Sequence, residues 1–282
     1  MSIAATKRRI GRAARRSPTL RRVFGRWLEP DFDAVIVSYP KCGRTWLRVM
    51  FGKALCLGYG QPDSIMLRPH ELTAAAGLRR TRFSHDDGVF NRQPWWRPDP
   101  GKQAYAGKHV MLLTRDVKDT LVSSYHHLTK RQVLYRGSIG EFVRDERYGA
   151  AQLIAFYEHW HAAQRVPAAL HVVRYEDMMQ RPRVGLEAAL RTCGARPLGD
   201  EVLDAAVAFG SFDNMRALEA SGFFADPRMR PGDRADVSSY KVRSGGSGKG
   251  AAALTPDDNA YVDGLVAASR CPLVHPPIGD VT

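Results

Sequence analysis

At 282 residues with 44% hydrophobic composition, the chain is long enough for one large α/β domain with a sizeable core, and no apolar run approaches the roughly 18 residues of a transmembrane helix. Four scattered cysteines (Cys42, Cys56, Cys193, Cys271) with no Cys-x-x-Cys pair argue against a zinc site or a disulfide framework and for a reducing compartment. The formal net charge of +13 is uneven, because residues 1–28 hold nine Lys or Arg and no acid, which leaves 33 basic against 29 acidic residues in the body.

The first predicted element lies in that basic arm, residues 1–30. Ser17 and Pro18 suit a helix start, and Leu20, Val23, Phe24, Trp27 and Leu28 then share one face. Such a helix can lie on an anionic membrane, bind nucleic acid, or pack on the domain as a solubilising arm. No h-region follows the basic residues, so a secretory signal is not expected. The remaining residues, 31–282, are expected to form the α/β domain.

The body opens with an apolar run from Ala34 to Val37, read as a short buried strand. Pro40 and Gly43 force a turn, and from Thr45 the apolar spacing becomes helical (Trp46, Val49, Met50, Ala54, Leu57). A strand, a tight turn and a helix start gather backbone N–H groups around one point, which suits a phosphate-like anion. Lys41 adds a charge and Thr45 a hydroxyl. The Walker-A spacing of Gly, Lys and Ser/Thr is not met.

Further strands are expected at 81–84, 109–114 and 170–174. Helices are expected at 45–57, 69–76, 117–130, 139–146, 150–164, 183–193, 200–208, 211–219 and 256–268. This alternation predicts a central parallel sheet flanked by helices in a P-loop-like nucleotide-binding architecture. Residues 87–107, with Pro94, Trp95, Trp96, Pro98 and Pro100, read as a loop able to form a pocket wall. Residues 225–253 carry Gly245, Gly246, Gly248 and Gly250 and are expected to be mobile without ligand. The strand at 109–114 runs into Arg115, and a helix follows with Val117, Leu121, Val122, Tyr125 and Leu128 inward. Ligands sit at the carboxyl ends of strands in open α/β sheets, so Lys41 and Arg115 fall where a site belongs. A structural ion pair of Arg115 with Asp116 or Asp119 is the plainer alternative.

Ser38-Tyr39-Pro40-Lys41-Cys42-Gly43-Arg44-Thr45-Trp46 resembles the 5′-phosphosulfate loop of the sulfotransferases that use 3′-phosphoadenosine 5′-phosphosulfate (PAPS). That loop typically reads Tyr-Pro-Lys-Ser-Gly-Thr-Thr-Trp, so Cys42 and Arg44 are departures. The resemblance implies that Lys41, Cys42, Gly43, Arg44, Thr45 and Trp46 bind the 5′ side of the nucleotide. It implies that Arg115, with Ser123 eight residues on, grips the 3′-phosphate. Val172-Val173-Arg174-Tyr175-Glu176-Asp177 resembles the strand whose Tyr meets the adenine. Arg243-Ser244-Gly245-Gly246-Ser247-Gly248 resembles the segment that closes over the 3′-phosphate, with Ser244 in place of Lys and the usual Trp-Lys beyond it missing. Ser211-Phe212 is a weaker match, because Gly210 stands where a Thr is usual.

Together these imply a PAPS-dependent sulfotransferase that moves a sulfuryl group to a hydroxyl or amine without a metal. His85 is placed as general base and Lys41 as the group that stabilises the leaving phosphate. Asp86 would orient the imidazole or compete as base, and His70 is a weaker candidate. A small-molecule, lipid or carbohydrate acceptor, a cytoplasmic location and peripheral membrane contact through the arm complete the expectation; nucleic acid is not expected as a partner. The rivals are a nucleotide-dependent kinase using the same anion loop and a non-enzymatic basic module that binds membrane or nucleic acid.

Overall fold

The computed structural model describes residues 32–86, 100–224, 240 and 246–275. The expected arm, the segment Arg243 to Gly245 and most of the aromatic loop therefore lie outside the described residues. All elements below belong to the unit Asp33–Thr282.

Four parallel strands form one sheet in the order β2-β1-β3-β4. They are β1 (Ala34–Ser38), β2 (Thr81–Ser84), β3 (His109–Thr114) and β4 (Ala169–Arg174). β1 and β3 occupy the centre, and their continuous apolar sequences are buried almost throughout, as a parallel sheet covered on both faces requires. β4 is an edge strand in which only Val173 is buried.

The helices follow the sequence pattern closely. They are α1 (Arg44–Tyr59), α2 (Pro69–Ala75), α3 (Val117–His126), α4 (Ile139–Arg144), α5 (Ala150–Ala162), α6 (Tyr175–Gln180), α7 (Pro182–Cys193), α8 (Asp200–Phe209), α9 (Phe212–Ser221) and α10 (Pro256–Ala268). α7 packs on β1, β3 and β4, while α1 packs on α7 and α8. The large buried side chains include Trp160, Tyr157, Tyr39, Phe51 and Phe142.

Two details differ from expectation. α3 ends at His126 and passes into a π-helical turn, His127–Arg131, instead of running on to residue 130. α6 was not expected at all: it has six residues and buries only Met178, too little for a helical period to show. All four cysteines are free and buried. Among the described residues no helix is long and apolar enough to cross a membrane.

Candidate active site

The strand register aligns four carboxyl ends. Val37 pairs with Ser84, Ser38 with Leu113, and Thr114 with Arg174. The chain leaves each end through one of the residues singled out by sequence: Lys41 beyond β1, His85 after β2, Arg115 after β3 and Tyr175 after β4.

The loop after β1 is built from backbone conformation. Lys41 has φ 76° and Gly43 φ 83°, both left-handed. That conformation costs a non-glycine residue about 1–2 kcal/mol, a strain often found at ligand-binding turns. Gly43 is the N-cap of α1 and meets a second restriction, since a Cβ there would come within 2.5 Å of the Tyr175 ring. α1 has no side-chain cap and no acid in its first turn. Its positive end is therefore not neutralised from within the helix, which fits an external anion. Arg44 and Thr45, the first two helical residues, are half-buried beside this end.

Cys42 does not face that anion position with its side chain. It is fully buried, and its Sγ lies 3.6 Å from the Tyr157 hydroxyl. Burial pushes the thiol up to about 11. Cys42 can thus offer an anion only its backbone, as the Ser of the usual motif could also do.

Arg115 ties the site together. Its Nη1 donates to the Lys41 carbonyl at 3.0 Å and its Nη2 to the Gly246 carbonyl at 3.3 Å. Nη2 also lies 3.5 Å from Asp119, so the structural ion pair anticipated from sequence is present along with the other contacts. The guanidinium stacks 4.2 Å above the Tyr175 ring. The remaining donor, Nε, is buried without a hydrogen-bond partner. Sequence gave no hint of what holds the Arg115 backbone. The Tyr157 hydroxyl accepts from its N–H at 2.9 Å and donates to its carbonyl at 3.0 Å. Burial keeps that phenol protonated.

Asp119, in the first turn of α3, also accepts from the N–H groups of Gly248 (2.8 Å) and Gly250 (2.6 Å). A Cβ at Gly250 would lie 2.4 Å from the Asp119 nitrogen. The described end of the Gly-rich segment, 246–250, is thus joined to α3 through the Asp119 carboxylate; residues 241–245 lie outside the described residues. Ser123 is half-buried, in the second turn of α3 and eight residues beyond Arg115.

Tyr175 fills the space between Gly43, Arg115 and Trp46, whose ring meets it edge-on at 6.0 Å. Trp46 Nε1 donates to the Gly210 carbonyl at 2.7 Å. A Cβ at Gly210 would sit 2.4 Å from Met50 Cγ, which explains glycine where the usual motif has Thr.

His85 Nδ1 donates to the Ser38 carbonyl at 3.0 Å, linking the ends of β2 and β1. A carbonyl only accepts, so Nδ1 carries a proton, and in the neutral imidazole the lone pair is then on Nε2. The carboxylate of Asp86 is engaged elsewhere. Oδ2 accepts from Lys102 Nζ at 2.5 Å and Oδ1 from the Tyr105 hydroxyl at 2.7 Å. The expectation that Asp86 orients the imidazole directly, or competes as base, is thus replaced by a buried cluster that no local pattern announced. His70 lies in α2 beside Glu71, its Nε2 3.7 Å from the Glu71 Oε1.

A family model described as the sulfotransferase domain matches residues 107–268, more than half of the chain. Human sulfotransferase 2B1 is 25% identical over 222 residues, which cover 68% of this chain and 54% of the human protein. A guinea-pig 3-alpha-hydroxysteroid sulfotransferase is 25% identical over 213 residues, 72% of this chain and 73% of the relative. Among solved structures, mouse sulfotransferase SULT7A1 complexed with PAP shares the fold with a TM-score of 0.55 at 19% identity, covering 85% of this chain and 84% of that one. The chain belongs to the sulfotransferase domain family.

Proposed function

We propose that this family member transfers the sulfuryl group of PAPS to a hydroxyl or amine of a small-molecule, lipid or carbohydrate acceptor. The observation that carries the reading is the convergence of Lys41, His85, Arg115 and Tyr175 at the carboxyl ends of four adjacent strands, with one guanidinium bonded to carbonyls on both anion-binding segments.

In this reading the uncapped start of α1, with Lys41, Thr45 and the amides of residues 42–46, receives the 5′-phosphosulfate. PAPS supplies the electrophilic sulfur and a phosphate leaving group. Lys41 stabilises charge on that phosphate as its bridging oxygen separates from sulfur. Arg115 and Ser123 are assigned to the 3′-phosphate, with Arg243, Ser244 and Gly245 closing from the C-terminal side. Tyr175 is assigned to the adenine, with Trp46 packed edge-on against its ring. His85 takes the acceptor proton on Nε2, the nitrogen that bears the lone pair when the ring is neutral and Nδ1 donates to Ser38. The family match weighs against the kinase rival.

Incubation with PAPS and a panel of alcohols, phenols, sugars, lipids and amines tests the reaction. Mass spectrometry should show an added sulfuryl group on at least one acceptor class, with stoichiometric adenosine 3′,5′-bisphosphate; nucleotide binding without transfer to any class would count against the reading. His85→Ala should lower kcat by about 10²- to 10⁴-fold with nucleotide affinity nearly unchanged. Turnover within a few-fold of wild type would move the base away from His85. Deleting residues 1–30 should leave activity intact while reducing pelleting with anionic vesicles, if that arm makes the proposed peripheral contact.

A further inference from the structure

The residue after His85 begins a buried ionic cluster that the proposed chemistry leaves unused. The side chains of Asp86 and Lys102 are 8% and 2% exposed. Lys102 Nζ lies over the rings of Trp160 (5.4 Å) and Phe156 (5.8 Å). Tyr105, which donates to the same carboxylate, packs edge-on against Trp160 at 4.9 Å. Burial and the neighbouring carboxylate push its phenol upward, so the hydroxyl stays a donor.

Two facts suggest that this cluster does more than hold the core. Removing two opposite charges from water costs several kcal/mol per ion, and apolar replacements of such pairs are often neutral or stabilising. Stability alone thus gives little reason for an ion pair at this place. Moreover, Asp86 is one of four non-glycine residues with positive φ among the described residues, at φ 56°. Its N–H donates to Ser84 Oγ at 2.9 Å, so the backbone turns sharply around His85. The carboxylate is fastened on both oxygens, and it belongs to the residue directly after the histidine whose ring bonds Ser38.

We infer that the Asp86–Lys102–Tyr105 cluster is the positioning device of His85: it locks residue 86 in its left-handed conformation and thereby sets the ring orientation and tautomer of the base. Lys102 and Tyr105 act through Asp86 and need touch neither nucleotide nor acceptor. The proposal rests on the reading of His85 as base for its kinetic consequence, though not for its structural one.

The test uses the full chain and four variants: Lys102→Met, Asp86→Asn, the double variant Asp86→Asn/Lys102→Met, and Tyr105→Phe. The readouts are kcat, affinity for adenosine 3′,5′-bisphosphate, thermal midpoint, and the ¹⁵N signals of the His85 ring, assigned by their loss in His85→Ala. Loss of alignment should lower kcat by about 10- to 100-fold in Lys102→Met, with nucleotide affinity unchanged. The double variant should be no slower than the slower single one, since the two residues act as a unit. It should also regain thermal midpoint relative to Lys102→Met, because no uncompensated charge stays buried. Tyr105→Phe, which keeps the ion pair, should show a smaller fall in kcat even if the charge variants fold poorly.

In every folded variant with reduced kcat, the ¹⁵N signals should report loss of the pure Nδ1–H tautomer. If the tautomer and kcat of Tyr105→Phe and Lys102→Met both match wild type, the positioning role is wrong. It is equally wrong if kcat follows the thermal midpoint and recovers fully in the double variant. If the tautomer shifts in these variants while His85→Ala turns over like wild type, the positioning role stands and the assignment of His85 as base falls.

Discussion

The loop after β1 and the corner around Arg115 are both read as anion sites, yet they are built by opposite means. The loop relies on backbone: two left-handed residues, an uncapped helix start, and a glycine pressed against a tyrosine ring. The Arg115 corner relies on side chains, with one guanidinium bonded to Lys41 and Gly246, paired with Asp119 and stacked on Tyr175. A backbone site depends on conformation and tolerates changes of side chain that leave φ and ψ alone. A side-chain site depends on residue identity. Two departures from the usual motif, Cys42 and Arg44, fall at the backbone site, where they leave the conformation in place, and Arg115 and the Ser eight residues later are kept; Ser244 in place of Lys is a departure on the 3′-phosphate side.

The sharpest way to break the contrast is to add one methyl group to the backbone site. Gly43→Ala places an L residue at φ 83° and drives its Cβ to within 2.5 Å of the Tyr175 ring. The left-handed conformation alone costs about 1–2 kcal/mol, and displacing a packed ring adds to that. We expect a stability loss of roughly 2–4 kcal/mol in denaturant melts. Binding of AMP and of adenosine 3′,5′-bisphosphate should weaken together, because the ring also supports Arg115. Normal melting and normal affinity for both would mean that the loop is not conformationally fixed.

Arg115→Ala acts on the other site and should discriminate between ligands. A lost charge-assisted contact costs about 1.5–3 kcal/mol, or roughly 10- to 150-fold in affinity. Calorimetry should show that loss for adenosine 3′,5′-bisphosphate and far less for AMP. Equal losses for the two nucleotides would make Arg115 a scaffold residue and not a 3′-phosphate ligand.

Tyr157→Phe is subtler. It removes the hydroxyl that bonds both the N–H and the carbonyl of Arg115 and leaves the ring in place. A neutral hydrogen bond contributes about 0.5–1.5 kcal/mol, so the protein should fold with a modest loss of stability. The bisphosphate should bind a few-fold more weakly, with AMP little changed. A variant as stable as wild type with unaltered bisphosphate affinity would show that the strand end holds Arg115 unaided.

These two corners also differ in how far they could be read from the chain. Strands β1 and β3 are continuous apolar runs, and Lys41 and Arg115 stand just beyond them, so the side of the sheet carrying the site follows from the pattern. Asp119 is legible as a partner of Arg115 because it stands only four residues further along the chain, in the first turn of the helix that follows. Tyr157 and Lys102 are not. They reach their partners across 42 and 16 residues, and only the tertiary fold brings them there. The inward turn of Cys42 was hidden for a related reason, since a strand-to-helix turn does not disclose which side chain it buries. α6 was missed because a six-residue helix with one buried residue lacks a period.

Cys42→Ser restores the usual loop residue and should have the smallest effect, which makes it the finest gauge of the contrast. The thiol is fully buried against the Tyr157 hydroxyl, and burial lifts it to about 11. It is therefore neutral throughout the physiological range, and no thiolate is lost on substitution. A folded pKa raised above the unfolded value penalises the thiolate, so this group costs stability only as pH rises above the ordinary thiol value of 9.0 toward about 11. Removing it should leave the pH dependence of stability unchanged between pH 6 and pH 8. A hydroxyl can replace the weak sulfur contact with a stronger one to Tyr157 while leaving a slightly smaller side chain, and the two effects oppose each other. Stability should shift by no more than about 1 kcal/mol, with affinity for both nucleotides within a few-fold of wild type. The native protein should also resist alkylation at Cys42 at neutral pH until it unfolds. A large change in affinity on this substitution would mean that the side chain at position 42 reaches the nucleotide, and the division into a backbone site and a side-chain site would no longer hold.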